Sequence, residues 1–183
     1  MSEPNAHPGP DVPATIEIRV THPQQLFNSL DPSPFYERDL DEDAEAYIVD
    51  SADEFPLTRA LRLIIYLPAD PRLGQLDFGH AIHNYFTYRA DEAWRRLRFF
   101  FRDGRRSFMV GLAFLFVCIA VRQLVLALGH GLTAQIVDEG LYIVGWVAMW
   151  RPLEIFLYDW RPLQHRARLF AKLARIPVLV YHF

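Results

Sequence analysis

Three side chains that can bind a metal ion lie close together in the stretch DFGHAIHNYF. Asp77, His80 and His83 follow one another at intervals of three residues. On a helix this spacing spreads them over about 120° of the surface, and carboxylate and imidazole groups are ligands that zinc accepts. No HExxH motif accompanies them. The stretch is therefore a candidate metal site on spacing alone, and a polar stripe at a subunit or domain contact is the plainer interpretation.

No other motif in the sequence indicates catalysis. A Walker loop, a dinucleotide fingerprint and a Gly-x-Ser-x-Gly element are all missing, and the DFG triplet lacks every other kinase element. The acidic stretch DLDEDAE lacks the glycine and the ligand spacing of a calcium loop. Cys118 is the only cysteine, so neither an intrachain disulfide nor a cysteine cluster can form. The sequence predicts a protein that is not an enzyme and that carries no cofactor.

Polar side chains inside apolar segments form the second group of candidates. Arg122 and Gln123 interrupt the apolar stretch SFMVGLAFLFVCIAVRQLVLALG. A guanidinium near one end of a membrane span can reach the headgroups, or it can pair with a carboxylate on the returning helix. Asp138 and Glu139 are the two carboxylates at similar depth. The other interpretation is that Arg122 lines a pore or pairs across an oligomer.

A second charged stretch, WRPLEIFLYDWRP, lies toward the end of the next apolar segment. Arg151 and Glu154 are three residues apart, so they share a helix face and can neutralise one another. Pro152 removes a backbone donor and is expected to kink the helix. The stretch is interpreted as a helix–helix contact, with an interfacial end of the span as the alternative.

Two segments have the length and composition of membrane spans. Residues 107–129 form about 34 Å of helix, enough for a hydrocarbon core of about 30 Å. Residues 136–160 reach that length only if the charged stretch is included, and tryptophan and tyrosine side chains near its ends would anchor it at the interface. A short turn, HGLTAQ, separates the two segments. The pair predicts a helical hairpin.

The flanking charges predict the orientation of this hairpin. The loop between the spans contains no Lys or Arg. By the positive-inside rule both termini should lie in the cytoplasm, with the hairpin in the plasma membrane. The arginine cluster could bind nucleic acid, but it abuts a span, so no nucleic-acid partner is predicted. The flanking basic residues are Arg89, Arg95, Arg96, Arg98, Arg102, Arg105 and Arg106 before the first span, and Arg161, Arg166, Arg168, Lys172 and Arg175 after the second.

The segment before the spans is acidic and has the patterns of a small α+β domain. TIEIRVT and ALRLIIYLP alternate as strands do, and the acidic start of DLDEDAEAYIVDSADEF suits a helix capped by Asp39 or Asp41. Two strands form a marginal sheet. We therefore expect either that neighbouring subunits complete the sheet or that the helix from Gln75 packs on it.

The resulting fold class is a membrane α-helical protein with a small α+β part: a cytoplasmic domain of two strands and short helices, a long juxtamembrane helix, and a two-helix transmembrane hairpin. Gly104 is expected to break the long helix just before the bilayer. The predicted boundaries are a disordered tail at 1–14, the cytoplasmic domain at 15–73, the juxtamembrane helix at 74–106, transmembrane helices at 107–129 and 136–160, and a basic cytoplasmic tail at 161–183.

The stretches LFNSLDPSPFYERDLDEDAEAYIV and GWVAMWRPLEIFLYDWRP together resemble an uncharacterised bacterial family of small membrane proteins. Members of that family pair an N-terminal soluble region with two C-terminal spans, and the resemblance covers most of residues 15–178. It implies a location and an organisation and no chemistry.

These observations lead to three hypotheses. The first is an integral membrane structural or interaction protein, a homo-oligomer or an accessory subunit that presents its cytoplasmic domain to a membrane or cytoplasmic protein partner. The second is an oligomeric channel or transport component with Arg122 at the outer pore mouth, because two spans cannot enclose a pore alone. The third is a metal-dependent membrane enzyme that uses Asp77, His80 and His83.

Overall fold

The computed structural model describes residues 13–69, 76–128 and 131–183. The chain is mostly helical, with one small parallel sheet and two long apolar helices. It divides into two units: the first comprises Met1–Ala93 with His165–Phe183, and the second comprises Trp94–Gln164. The first unit therefore draws on both sides of the predicted hairpin along the chain.

The elements follow one another in a simple order. In the first unit, short 3-10 helices at Pro23–Gln25 and Phe35–Glu37 lie between the first strand and the first α-helix. The strands are β1 (Ala14–Arg19), β2 (Leu61–Leu67) and β3 (Val178–His182); the α-helices are α1 (Glu42–Asp53), α2 (Phe78–Leu128), α3 (Leu132–Glu154) and α4 (Trp160–Leu173), with a π-helical segment at Ile155–Asp159 between α3 and α4.

The sheet is parallel throughout and has the order β1-β2-β3. Ile16 pairs with Leu63 and Ile65 pairs with Val180, so the inward-facing residues of the three strands share one face. Alternation of apolar and polar residues in β1 produces this arrangement, because successive side chains of a strand point to opposite faces. The central strand β2 has the most continuous apolar sequence.

Helices α1, α2 and α4 each place apolar side chains in the core beside the sheet. Asp41 caps α1 and accepts a hydrogen bond from the backbone nitrogen of Asp43, so one of the two predicted caps is confirmed. The first part of α2 packs Phe86 against Phe170 of α4, with the ring centroids 6.2 Å apart. Fully buried helical side chains include Ile48 and Ala52 in α1, Ile82 and Phe86 in α2, and Ala167, Leu169 and Leu173 in α4.

The sheet has three strands rather than the two predicted. The third strand comes from the segment that the sequence analysis treated as the basic tail 161–183. That interpretation rested on the charged residues of the segment. Apolar residues of α4 lie between them and are buried in the core: Leu169, Phe170 and Leu173. The chain thus completes its own sheet, and no neighbouring subunit is needed for that purpose.

A single helix, α2, covers residues 78–106 of the predicted juxtamembrane helix 74–106 and residues 107–128 of the first predicted span 107–129. The predicted break at Gly104 is wrong, since Gly104 is helical and buried. A glycine within a helix weakens it by about 1 kcal/mol but does not end it. Its missing side chain makes room instead, because a Cβ at Gly104 would lie 2.8 Å from Cγ2 of Ile155.

The predicted disordered tail falls mainly on residues 1–12, which lie outside the described residues, as do 70–75, 129 and 130.

The second predicted span, 136–160, covers most of α3 and the whole π-helical segment. Pro152 lies inside α3, and the π-helical segment begins three residues later. A proline has no N–H to donate and leaves the carbonyl four residues earlier without its helical partner. A wider, π-helical turn thus follows the proline, and the kink at Pro152 stays a prediction.

Two helices are long and apolar enough to cross a membrane. One runs over Phe78–Val125 and the other over Ile136–Leu173, and little of their most apolar windows is buried. Val110 is 70% exposed on the first and Trp146 is 60% exposed on the second. These two helices therefore present apolar surface that nothing within the described chain covers.

Candidate functional site

An ion pair joins the two apolar helices. Arg122 on α2 donates from Nε to Oδ1 of Asp138 on α3, and its Nη2 lies 3.3 Å from Oδ2 of the same carboxylate. The planar guanidinium and carboxylate groups thus form a bidentate pair, which is the strong geometry for such an interaction. The side chains of Arg122 and Asp138 are 39% and 18% exposed. Of the two carboxylates that the sequence offered to Arg122, the structure selects Asp138.

The surroundings of this pair are apolar and aromatic. The Arg122 guanidinium carbon lies 5.9 Å from the ring centroid of Tyr142. A cavity of about 220 Å³ adjoins the pair. Such a lining solvates a lone charge poorly, so each charge depends on the other. The cavity is lined by Leu115, Cys118, Ile119, Arg122, Leu141, Tyr142 and Trp146.

The neighbours of the pair along the chain point elsewhere. Gln123 is exposed on α2, and Glu139 is exposed on α3. Successive residues of a helix are about 100° apart, so these side chains cannot face the same partner as Arg122 and Asp138. Gln123 and Glu139 are thus surface residues of the second unit.

Glycines and a proline define how closely α2 and α3 approach. A Cβ at Gly111 would lie 3.2 Å from the carbonyl oxygen of Ala148 and 3.4 Å from Cγ of Pro152. Ala148 is four residues before Pro152, so its carbonyl is the one that the proline deprives of a helical donor. A Cβ at Gly145 would lie 3.0 Å from Cδ1 of Leu115. Small residues at these points let the two helices pack closely, as in helix pairs within membranes.

The predicted pair of Arg151 and Glu154 is only partly described. Both residues belong to α3, and Glu154 is its last residue and is half-buried. The side chain of Arg151 lies outside the described residues. Mutual neutralisation of these two charges stays a prediction.

The three predicted metal ligands are engaged in structural contacts of the first unit. Asp77 accepts a hydrogen bond from the backbone nitrogen of His80, 2.9 Å away, at the beginning of α2. Nε2 of His83 lies 2.7 Å from the carbonyl oxygen of Ile176, so this ring nitrogen carries the donated proton. Nδ1 of His80 lies 3.3 Å from the amide nitrogen of Asn84. Within residues 13–69, 76–128 and 131–183, no group of three His, Cys, Asp or Glu side chains is placed to hold a metal ion.

An acidic cleft of about 600 Å³ lies on the first unit. Asp31 accepts hydrogen bonds from the backbone nitrogens of Ser33 and Asp39 at 2.9 and 2.8 Å. The bond from the Asp39 backbone is the main cause that lowers the pKa of the Asp31 carboxyl. Partial burial, and then the nearby Asp31 charge, raise the pKa of Asp39. The carboxylates that line the cleft are Asp31, Glu37, Asp39 and Asp91.

A second charged cluster of the first unit was missed by the sequence analysis. Nη2 of Arg89 on α2 lies 2.7 Å from Oε1 of Glu45 on α1. Tyr85 donates from its hydroxyl to Oε2 of the same carboxylate at 2.6 Å. The Arg89 guanidinium also lies over the ring of Phe170, 5.4 Å from its centroid. Arg89 had been assigned to the membrane-flanking charges, and no local pattern reveals a partner 44 residues away.

The chain matches no family model, no curated protein and no solved structure.

Proposed function

We propose that this chain is an integral protein of the bacterial inner membrane that serves as a structural or interaction protein. In this proposal α2 and α3 form the membrane hairpin, and the first unit is held at the cytoplasmic face, where it meets protein partners. The protein acts as a homo-oligomer or as an accessory subunit of a membrane complex.

The observation that carries the proposal is the origin of the sheet. Strands β1 and β2 precede the two apolar helices in the chain, and β3 follows them. A sheet lies in one aqueous compartment, so the chain between β2 and β3 has to cross the membrane an even number of times. Two spans satisfy this requirement, and the arginine-rich flanks favour the cytoplasm as the compartment.

The exposed apolar surface of the second unit supports the same proposal. A contiguous apolar surface of this kind on a water-soluble monomer would be exceptional, whereas it is what a lipid-facing helix needs. Side chains exposed on α2 include Val110, Phe116 and Val117, and those on α3 include Ile143, Trp146 and Val147.

The ion pair of Arg122 and Asp138 fits a hairpin that is stable as an anchor. Isolated charges in a hydrocarbon core raise the free energy by about 2.5–3.5 kcal/mol each on insertion scales. Pairing within one chain removes most of that penalty without any partner subunit. The alternative of an oligomeric channel with Arg122 at its outer mouth stays a hypothesis, and the neutral pair does not favour it, because a pore that attracts anions needs uncompensated positive charge. Anion flux in liposomes that is abolished by Arg122→Ala would revive it.

Cysteine accessibility in intact cells tests the proposed topology. In a Cys118→Ala background, Gly131→Cys places a thiol at an exposed position of the hairpin turn, and Thr58→Cys places one at an exposed turn of the first unit. An impermeant maleimide should label the cysteine at position 131 in intact cells, and the cysteine at position 58 only after the membrane is opened. The reverse pattern would refute the topology, and release of the protein by alkaline carbonate would refute membrane insertion.

Oligomeric state and partners form the second test. The full chain, extracted in a mild non-ionic detergent, should sediment as an oligomer or with a stoichiometric partner protein. A bare monomer without a co-purifying protein would remove the interaction role and leave only the anchor.

A further inference from the structure

Four arginines form one stripe on α2 just before its apolar part. Their spacing of three, four and three residues places them on a single face over about 15 Å of helix. All four are exposed, and among the described residues none of them pairs with a carboxylate. We call this set, Arg95, Arg98, Arg102 and Arg105, the arginine stripe.

Aromatic rings line the cleft beside the arginine stripe. The Arg102 guanidinium carbon lies 4.6 Å from the ring centroid of Phe99. Phe101 stacks on Phe156 of the π-helical segment with centroids 6.4 Å apart, and Trp160 lies 6.2 Å from Phe101. The cleft has a volume of about 740 Å³ and is bounded by the arginine stripe with Phe99, Phe101 and Phe156. It therefore offers positive charge and an apolar wall to one ligand.

The position of the cleft along the chain limits what that ligand can be. The stripe ends at Arg105, two residues before the apolar stretch begins at Ser107. If α2 spans the membrane as proposed above, the stripe lies at the depth of the headgroups, on the cytoplasmic side. Basic residues directly beside a span attract anionic lipids by about 1 kcal/mol each, and basic pockets at the ends of spans bind their headgroups. A free phosphate ion would leave the apolar wall of Phe101 and Phe156 without a contact. Nucleic-acid bases could stack on these rings, but the position directly beside the apolar part of α2 favours a lipid.

We propose that this cleft is a binding site for an anionic glycerophospholipid. The arginine stripe contacts the phosphodiester and the headgroup, and the first acyl carbons pack against Phe101 and Phe156. The inference rests on the proposed function in one respect, the insertion of α2 into the membrane. It adds a specific lipid to a hairpin that would otherwise be a passive anchor.

Lipid retention by the detergent-solubilised full chain tests the site. Native mass spectrometry compares dioleoyl-phosphatidylglycerol with dioleoyl-phosphatidylcholine at equal concentration. The wild-type chain should retain the anionic lipid preferentially. The double variant Arg98→Gln/Arg102→Gln should bind it about 30-fold more weakly, as expected when two contacts of this kind are lost.

The matched control removes the same charge elsewhere. Arg166 and Arg168 are exposed on α4, and Arg166→Gln/Arg168→Gln should leave the preference unchanged. Circular dichroism shows whether each variant is folded. If a glutamine variant is not, the variant Arg98→Lys/Arg102→Lys, which keeps the charge but loses two-pronged contacts, should still prefer the anionic lipid, with reduced retention.

Three results would overturn the site. They are equal retention of both lipids by the wild-type chain, equal losses in the stripe and control variants, and displacement of the lipid by inorganic phosphate or by a single-stranded oligonucleotide. The last would indicate an anion site or a nucleic-acid surface. Carbonate extraction separates this failure from that of the proposed function, because a chain that stays in the membrane but shows no lipid preference loses only the lipid site.

Discussion

Arg122 and Asp138 carry opposite charges in the most apolar part of the chain, and each makes the other tolerable there. Their bidentate contact combines Coulomb attraction with two hydrogen bonds. When one partner of such a pair is removed, the remaining charge has no compensation. The pair is therefore expected to hold α2 and α3 in one rotational register.

Asp138→Asn should destabilise the hairpin and lower its unfolding midpoint, because the Arg122 guanidinium then lacks a counter-charge. The charge-swapped double variant Arg122→Asp/Asp138→Arg should recover part of this loss. The measurement is the thermal unfolding midpoint of the full chain in detergent. Glu139→Gln removes the adjacent, exposed carboxylate and is the control that should change little. Equal midpoints for Asp138→Asn and Glu139→Gln would show that the ion pair does not stabilise the hairpin.

For single residues, the sequence could restrict the partner of Arg122 to two carboxylates but could not decide between them. It offered Asp138 and Glu139 as equal partners for Arg122, since both lie at similar depth and only the rotation of α3 distinguishes them. The contact between Glu45 and Arg89 could not be read at all, because it depends on how α1 packs on α2. The spacing of Asp77, His80 and His83 was visible, but the contacts of these side chains with the backbone of Ile176 and with neighbouring groups were not.

At the level of elements, α2 and α3 pack closely where Gly111 of α2 faces the carbonyl of Ala148 on α3, which has no helical donor because of Pro152. A Cβ at Gly111 would lie only 3.2 Å from the carbonyl oxygen of Ala148. Both features were present in the sequence, and only the packing brings them together. The backbone cannot yield as a flexible side chain could, so any added side chain at Gly111 has to move a helix.

Gly111→Ala should lower the thermal midpoint of the full chain, by the equivalent of about 1–2 kcal/mol, because overpacking a tight contact is unfavourable by this amount. The control is Gly140→Ala, since a Cβ at Gly140 has nothing within 4 Å. This variant should be neutral or slightly stabilising, because alanine favours helix more than glycine does. If both variants behave alike, the close approach at Gly111 is not what limits the packing.

Strand β3 shows why the sequence analysis counted two strands. VLVYH is only five residues long, lies after a run of basic residues, and pairs with a strand more than a hundred residues earlier. Parallel pairing over such a separation leaves no turn signal between the partners. The strands β1 and β2, in contrast, showed clear apolar patterns and were found.

Adjacent residues of β3 give a test with an internal control. Val180 packs against the core and pairs with Ile65, whereas Leu179 is 39% exposed on the opposite face. Val180→Asp should destabilise the first unit by about 3 kcal/mol or more, since it buries an uncompensated charge, and Leu179→Asp should have little effect. Hydrogen exchange of the β2 amides reports the difference. Equal protection in both variants would mean that β3 is not part of the stable sheet.

At the scale of the whole molecule, the chain of an α/β unit with a parallel sheet is interrupted by a long apolar insertion. The connection from β2 to β3 runs through α2, α3 and α4, so residues 94–164 form an insertion within the first unit. Charge and hydropathy revealed the insertion in the sequence, but the segment that follows it, residues 161–183, was interpreted as a basic tail. The complete sheet of the first unit consequently needs a strand that follows the insertion.

The first unit should fold without the insertion. A chain in which a Gly/Ser linker of about ten residues replaces residues 94–164 should be soluble without detergent. Such a linker spans about 17 Å on average. It can join the two cut ends because they belong to helices in contact: the guanidinium carbon of Arg89 on α2 lies 5.4 Å from the ring centroid of Phe170 on α4. Cooperative thermal unfolding by circular dichroism is the expected result. The same linker chain cut off after Ile176 lacks β3 and should not unfold cooperatively, because it exposes the central strand β2. If the intact linker chain aggregates or remains unfolded, the sheet does not suffice to hold the two parts of the first unit together, and it then does not require both flanks of the hairpin to share one compartment.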